Sequence, residues 1–329
     1  MSQHTNISTG RLTREPLQGL VSIVIASYGR PELVKRAIDS ALSQSYPHIE
    51  VIVADDLAAD HCHAEVQGVK DPRFRFHLQD GRVGCWQNWT TAIRMTRGEF
   101  IVFLGDDDWL SPTFVEDHLV ALAKVTNAEV SFCSMHEILE DTSTLRTIDP
   151  GVPILNEVSA TDFLSAALRH ELFFGAALFR AGMAMEVWEE TKPDDYVADY
   201  GLILRLAVLR SVPCTRVSGP VYFKSVHPGQ LSQKYTEVTQ LRLGLLLRIR
   251  DLIPDGKRRR MVSHFAAHEA ILLARHHAAA GDLQTARRQL AAALQISPST
   301  AHAWSQFLQS YLTPSRLART ARTQRGLPA

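Results

Sequence analysis

The stretch Glu99-Phe-Ile-Val-Phe-Leu-Gly-Asp-Asp-Asp-Trp-Leu-Ser-Pro112 constrains this chain most. Phe100 to Leu104 is an unbroken run of aromatic, β-branched and aliphatic residues, the pattern of a strand covered on both faces in a parallel sheet. Gly105 ends it. Asp106, Asp107 and Asp108 then fall at the carboxyl edge of that sheet, where open α/β folds bind their ligands. Three adjacent carboxylates repel one another, so a compensating cation is called for. The hard divalent ions Mg²⁺ and Mn²⁺ suit oxygen ligands and commonly bridge one or two carboxylates to substrate phosphates. A solvated acidic turn leading into a helix begun at Pro112 is the competing reading, since Asp and Ser are good helix caps.

The neighbouring segments have the same organisation. Residues 1–19 are polar and aperiodic and read as a loose arm. Leu20 to Ala26 is a buried strand, broken by Ser27-Tyr28-Gly29-Arg30-Pro31, with Pro31 opening a helix on which Leu33, Ala37, Ile38, Ala41 and Leu42 recur at helical spacing. Ile49 to Ala54 is a second apolar strand closed by Asp55 and Asp56. This is a βαβ unit, whose parallel strands carry their loops on one edge, so Tyr28, Asp56 and the Asp106 group are predicted to converge there. A helix Ala59–Val69, a strand Phe74–Leu78, a helix Asn88–Met95, a helix Leu110–Val125 and a strand Val130–Met135 follow. The Gly81/Gly84 loop lacks the GxGxxG spacing of a dinucleotide fold.

The second half is less regular. Glu137 to Ser159 is rich in turn residues. Val197 to Leu209 reads as a helix with Asp199 in its first turn, where a carboxylate is stabilised by the helix dipole or serves as a catalytic base. Val212–Val217 and Val221–Val226 read as strands, followed by the polar loop His227-Pro-Gly-Gln-Leu-Ser232. From Val238 the composition is helical, with breaks at Pro254, Gly281, Pro298 and Pro314. Ala266 to Pro298 resembles a single tetratricopeptide helix pair, too few for an independent solenoid. It is expected to pack on the α/β domain or, in a homodimer, on a second subunit. The basic run Lys257 to Arg260 reads as a solvated face.

Bulk properties limit function. The 35 basic and 35 acidic side chains cancel, so no nucleic-acid partner is expected. No stretch approaches the roughly 20 apolar residues of a membrane span, and no apolar signal core opens the chain. A cytoplasmic location is therefore the expectation, consistent with four scattered cysteines lacking any CxxC pair. His61-Cys62-His63 reads as a surface loop, because neighbours in sequence point apart.

Taken together, Val21-Ser-Ile-Val-Ile-Ala-Ser-Tyr-Gly-Arg-Pro31, Ala41-Leu-Ser-Gln-Ser-Tyr-Pro47, Glu50-Val-Ile-Val-Ala-Asp-Asp56, Arg97-Gly-Glu-Phe-Ile-Val-Phe-Leu-Gly-Asp-Asp-Asp108 and Asp199-Tyr-Gly-Leu-Ile-Leu-Arg205 resemble, in order and spacing, the family 2 inverting glycosyltransferases of GT-A fold. The resemblance implies an α/β fold with a mostly parallel Rossmann-like sheet over 20–235, divided into a nucleotide-sugar half (about 20–135) and an acceptor half (about 136–235), plus an all-α extension over 236–329. It implies a nucleotide-diphosphate sugar donor, with UDP or dTDP favoured, a hydroxyl acceptor, and Mg²⁺ or Mn²⁺ as cofactor. Carried across by position, Tyr28 and Asp56 adjoin the base, Asn88 borders the nucleotide, and Asp106 lies near the ribose. Asp107 holds the metal, Asp108 supports either role, His227 completes the metal shell, and Asp199 is the general base.

Two departures stand out. Gly105 occupies a position where many relatives carry an Asp, and Trp86-Gln87-Asn88 replaces a frequent Ala-Arg-Asn, leaving Arg30, Arg82 or Arg94 to supply a cation for the diphosphate. Phe173, Phe174 and Trp188 are expected to shape the acceptor pocket. Two other functions fit parts of the pattern: a catalytically inactive nucleotide-sugar-binding scaffold with a partner-binding tail, and a sugar-phosphate nucleotidyltransferase. The second wants a Gly-rich phosphate loop and a Lys near the first strand, which Ser27-Tyr28-Gly29-Arg30 does not supply in full.

Overall fold

The computed structural model describes residues 15–56, 66, 68–139, 144–149, 160–169, 172–191, 198–209, 214–227, 235–254, 256–299 and 304–305. The arm at 1–14, most of the expected helix 59–69 and the His61-Cys62-His63 loop lie outside them.

The apolar run before Asp106 becomes the centre of the sheet. Strands β1 (Leu17–Ser27), β2 (Ile49–Asp55), β3 (Phe74–Leu78) and β4 (Gly98–Gly105) lie parallel in the order β3-β2-β1-β4. Helix α1 (Pro31–Leu42) makes the β1–β2 crossover with Pro31 at its start, where a missing N–H costs nothing. On β4, Ile101 and Phe103 enter one core layer while Phe100, Val102 and Leu104 enter the other, as alternation on a strand buried on both faces requires. Helices α1 and α3 (Phe114–Ala123) cover the second layer; α2 (Cys85–Arg94), α4 (Ala160–Leu168), α5 (Ala181–Glu190) and α6 (Ala198–Leu209) cover the first.

Beyond β4 the sheet changes character. β8 (Ala177–Arg180) pairs antiparallel with β4 and with β6 (Val130–Leu139). β6 also takes β7 (Thr144–Ile148) antiparallel and β9 (Cys214–Val226) parallel, and the short β5 (Trp109–Leu110) closes the far edge on β9. The two strands read at 212–217 and 221–226 are thus one. Gly219 (φ +95°) and Pro220 sit in a bulge where the β6–β9 register shifts, and the strand bends there instead of ending. The helix read from Leu110 starts later, at Phe114, because Trp109 and Leu110 are drawn into pairing with Phe223 and Tyr222.

Helices α7 (Tyr235–Leu252), α8 (Lys257–Ala279) and α9 (Leu283–Ile296) follow. Gly281, at φ +87°, makes the left-handed turn between α8 and α9, and Asp282 caps α9 by accepting the Thr285 N–H. Val238, Leu245, Leu246, Ile249, Ile253, Val262 and Ala266 share one hydrophobic cluster with the sheet and with α4 to α6, so α7 and the start of α8 extend the α/β core. The rest of α8 forms its own small core with α9 through Ala267, Ala270, Ile271, Ala274, Ala286, Leu290 and Ala293. The basic run is not simply solvated. Arg258 turns inward and donates to the carbonyls of Ala207 and Val208 at the end of α6.

Candidate active site

The carboxyl ends of β1, β2 and β4 meet because their registers coincide: Ser27 is opposite Asp55 and Ala26 opposite Gly105. The Tyr28 N–H donates to Asp106 Oδ2 at 3.3 Å, and Arg30 spans the acidic group, with Nη2 2.8 Å from Asp106 Oδ1 and Nη1 2.6 Å from Asp107 Oδ2. His227, just beyond β9, brings Nε2 to 3.3 Å from the same Asp107 oxygen. Arg36 reaches the Asp107 carbonyl at 2.7 Å and lies over the Trp109 ring, 4.0 Å from its centroid.

Charge in this group is poorly balanced. Burial pushes Asp106 up to about 7, with Arg30 opposing and Asp107 adding to the rise. Burial likewise pushes Asp108 up to about 8, reinforced by Asp107 and opposed by its hydrogen bonds from Tyr222 and Ser225. Burial would lower Arg30, but Asp106, Asp107 and Asp108 outweigh it and raise its guanidinium above the usual value. Arg30 answers the three carboxylates, and Lys224 adds a smaller opposing effect on Asp108.

The three carboxylates have different surroundings. Asp108 is buried; the Tyr222 hydroxyl donates to Oδ2 and the Ser225 N–H to Oδ1 at 2.9 Å. It therefore ties the strand end to β9. Gly105 has a steric reason: a Cβ there would stand 2.7 Å from Asp108 Oδ2 and 3.1 Å from Asp107 Oδ1, so an Asp at this position would displace the pair. Gly175 is pinned similarly, its Cβ position 2.5 Å from the Tyr222 hydroxyl oxygen.

The residues at the ends of β1 and β2 are also differentiated. Tyr28 is 42% exposed, with the Arg82 guanidinium 4.7 Å from its ring centroid. Asp56 accepts the Val83 N–H at 2.6 Å and the Gly84 N–H at 3.0 Å, fixing the glycine loop that starts α2. Asn88 is buried, its Nδ2 bonding the carbonyls of Ser27 (3.2 Å) and Ala54 (2.9 Å) and its Oδ1 accepting from Gln79 (3.1 Å), so it clamps the ends of β1 and β2. Arg94 sits in the last turn of α2, about 13–14 Å along the helix from Cys85 at 1.5 Å per residue. Of the three expected cations, Arg30 is the one in the acidic group.

Asp199 lies in the first turn of α6, partly buried, and the adjoining residues 192–197 are outside the described part. Phe174 and Trp188 are core residues, 6% and 1% exposed, packed with Phe103. Only Phe173 of that expected aromatic trio is partly exposed. Sequence reading missed Tyr222 and Ser225 as partners of Asp108; an alternating strand ending beside His227 was the available signal. Among the described residues no three His, Cys, Asp or Glu side chains are gathered in metal-binding geometry. Asp107 and His227 nonetheless form an oxygen–nitrogen pair that suits a divalent ion completed by phosphate oxygens and water.

A mixed sheet, parallel over β1–β4 and largely antiparallel beyond, with carboxylates gathered at the ends of β2 and β4, defines a GT-A-type α/β protein. The chain belongs to glycosyl transferase family 2, whose model matches residues 22–186. The curated relatives include an uncharacterised glycosyltransferase of Rickettsia typhi, 28% identical over 59% of this chain and 60% of that protein. Another is the E. coli UDP-Glc:alpha-D-GlcNAc-diphosphoundecaprenol beta-1,3-glucosyltransferase WfaP, 31% identical over 30% of this chain and 40% of that protein. The chain spans between 22% and 60% of the length of the first such relatives. S. aureus TarS 1–349 in complex with UDP-GlcNAc shares the fold, with TM-score 0.65 and 13% identity over 93% of this chain and 92% of that one. So does a Pyrobaculum calidifontis mannosyltransferase in complex with GDP-Man and Mn²⁺, with TM-score 0.55 and 16% identity over 96% and 90%. No helix among the described residues is long and apolar enough to cross a membrane.

Proposed function

We propose that this protein transfers a sugar from a nucleotide-diphosphate donor to an acceptor hydroxyl, with inversion, using a divalent ion. The observation that carries the reading is the contact of Arg30, Asp106, Asp107 and His227 at the joined ends of β1 and β4, beside exposed Tyr28. Asp107 and His227 would hold Mg²⁺ or Mn²⁺, which when bound offsets negative charge on the leaving diphosphate as a Lewis acid. Asp108 fixes the loop through Tyr222 and Ser225. Asp56 orders the Val83–Gly84 loop around the base, and Tyr28 offers it a ring face.

Inversion requires attack on the side of the anomeric carbon opposite the leaving group, and the attacking hydroxyl loses a proton as it bonds. Asp199 accepts that proton as general base, a role worth about 10²–10⁴-fold. UDP or dTDP is the favoured nucleotide. TarS is described in complex with UDP-GlcNAc and the E. coli enzyme is named for UDP-Glc, which supports the UDP branch. The deciding experiment is a thermal-shift panel of UDP-, dTDP- and GDP-sugars with and without Mn²⁺, since a ligand of the native state raises apparent stability by mass action. A Mn²⁺-dependent rise with one nucleotide class is expected, and a flat response to all of them would overturn the reading. Asp199→Asn should then keep that rise and lose turnover; full turnover would rule the base out.

A further inference from the structure

The base-side residues Tyr28 and Asp56 sit at the ends of β1 and β2, on one side of β4, whereas β6 and β9 lie on the other side in the strand order β2-β1-β4-β8-β6-β9. On that far side a polar group is built beside the acidic loop. Lys224 of β9 and Glu137 of β6 are register partners, and Lys224 Nζ is 3.1 Å from Glu137 Oε1. Both side chains are only partly exposed, 24% and 19%. The Lys224 ammonium also lies 5.3 Å from the Phe173 ring centroid, and Phe173 packs edge-on against Tyr222, whose hydroxyl donates to Asp108. The pair is thus joined to the acidic loop through two aromatic rings.

We propose that Phe173, Lys224 and Glu137 form the acceptor subsite and that it takes the adjacent hydroxyls of an uncharged sugar ring. The chemistry is that of the pair. An ammonium brings donors, a carboxylate brings acceptors, and two such groups 3.1 Å apart can bracket a vicinal diol while Phe173 walls the ring's apolar side. A phosphate-bearing acceptor fits less well, because Glu137, 3.1 Å from Lys224 and 4.0 Å from Arg146, puts a carboxylate against any anion that Lys224 would take. Placement agrees: with the nucleotide held at β1 and β2 and its diphosphate at β4, the transferred sugar points toward β6 and β9. The inference rests on the glycosyl-transfer reading, so its test carries a separate donor measurement.

The experiment uses the full chain with saturating UDP and Mn²⁺. Phenyl glycosides of glucose, galactose and N-acetylglucosamine are titrated by saturation-transfer difference NMR against wild type, Lys224→Met, Glu137→Gln and Phe173→Leu, with UDP affinity measured for each by calorimetry. At least one glycoside should bind wild type and bind each variant about tenfold or more weakly, the scale of one lost charge-assisted hydrogen bond, with UDP affinity within about twofold. Equal glycoside binding by the three variants overturns the subsite. So does preference for glucose 1-phosphate that tightens in Glu137→Gln, or UDP binding with no glycoside bound at all. Loss of UDP binding by wild type overturns the glycosyl-transfer reading itself and this subsite with it.

Discussion

Arg258 Nη2 lies 2.9 Å from the carbonyl oxygen of Val208, and it also donates to the carbonyl of Ala207. A guanidinium from the first turn of α8 thereby satisfies two of the four carbonyls that any helix leaves without intrahelical donors at its end, here α6, and does so where the helix dipole favours a cation. The helix closed in this way is the one that opens with Asp199. Arg242 of α7 adds a second contact, 5.9 Å from the ring centroid of Tyr200, and Leu245 lies against Gly201, where a Cβ would meet it at 3.8 Å.

Replacing Arg258 by Met should therefore weaken the whole protein. Two charge-assisted bonds to partly buried carbonyls are lost, a cost of about 2 kcal/mol, read as a fall of several degrees in melting temperature. An unchanged melting temperature would mean that water replaces the guanidinium without loss.

Tyr222→Phe removes the hydroxyl that donates to Asp108 Oδ2 and keeps the packing of the ring against Phe114 and Phe173. We expect a loss of about 1.5–3 kcal/mol by urea unfolding, the range for a buried bond to an ionisable acceptor. Under the proposed function it should also weaken donor binding, since the Asp107 loop loses its anchor.

Gly98 and Gly105 test two different constraints. A Cβ at Gly98 would stand 2.6 Å from the Leu20 carbonyl oxygen and 2.9 Å from that of Phe100, both backbone, so Gly98→Ala should cost about 1–3 kcal/mol or more. At Gly105 the obstacle is the end of the Asp108 side chain. Gly105→Ala is expected to retain more stability than Gly98→Ala and to lose nucleotide-sugar binding, with urea midpoint and calorimetry as the two readouts.

His118 gives a pH dependence of defined sign. It is fully buried on α3, its Nδ1 2.9 Å from Ser131 Oγ, and burial lowers it from 6.5 to about 3. The unfolded chain takes up a proton below about pH 6.5 that the native state refuses, so this group's contribution to stability is complete above that pH. It is lost as pH falls toward 3, at up to about 1.4 kcal/mol per pH unit. Asp106 and Asp108, raised by burial, act in the opposite sense over much of the same window, so the test is a difference. Subtracting the stability of His118→Gln from that of wild type between pH 5 and 7 should leave a positive slope; a flat difference would show that the ring is protonated or hydrated in the native state.

The parallel half of the sheet was legible because each of its strands announces itself locally. Phe74–Leu78 was read at its observed bounds, and Pro31 marks a helix start wherever it falls in such a pattern. The mixed half was harder. β9 reads as two strands because Gly219 and Pro220 are ordinary breakers in sequence, and only pairing with β6 carries the chain through the bulge. Trp109 and Leu110 look helical until β9 offers them partners.

What the sequence determined alone was the two-faced strand, the order of strand, carboxylate and helix, and the convergence of Tyr28, Asp56 and the Asp106 group on one edge, since these follow from periodicity and from the single hand of βαβ units. Tertiary structure decided the division of labour. Asp108 faces Tyr222 and Ser225, Asp107 faces His227 and Arg30, Asn88 is buried as a clamp, and Arg258 is turned against the end of α6. Those differences depend on which atoms, in several cases more than a hundred residues away, come within hydrogen-bond reach, and no local pattern encodes a distance between remote strands.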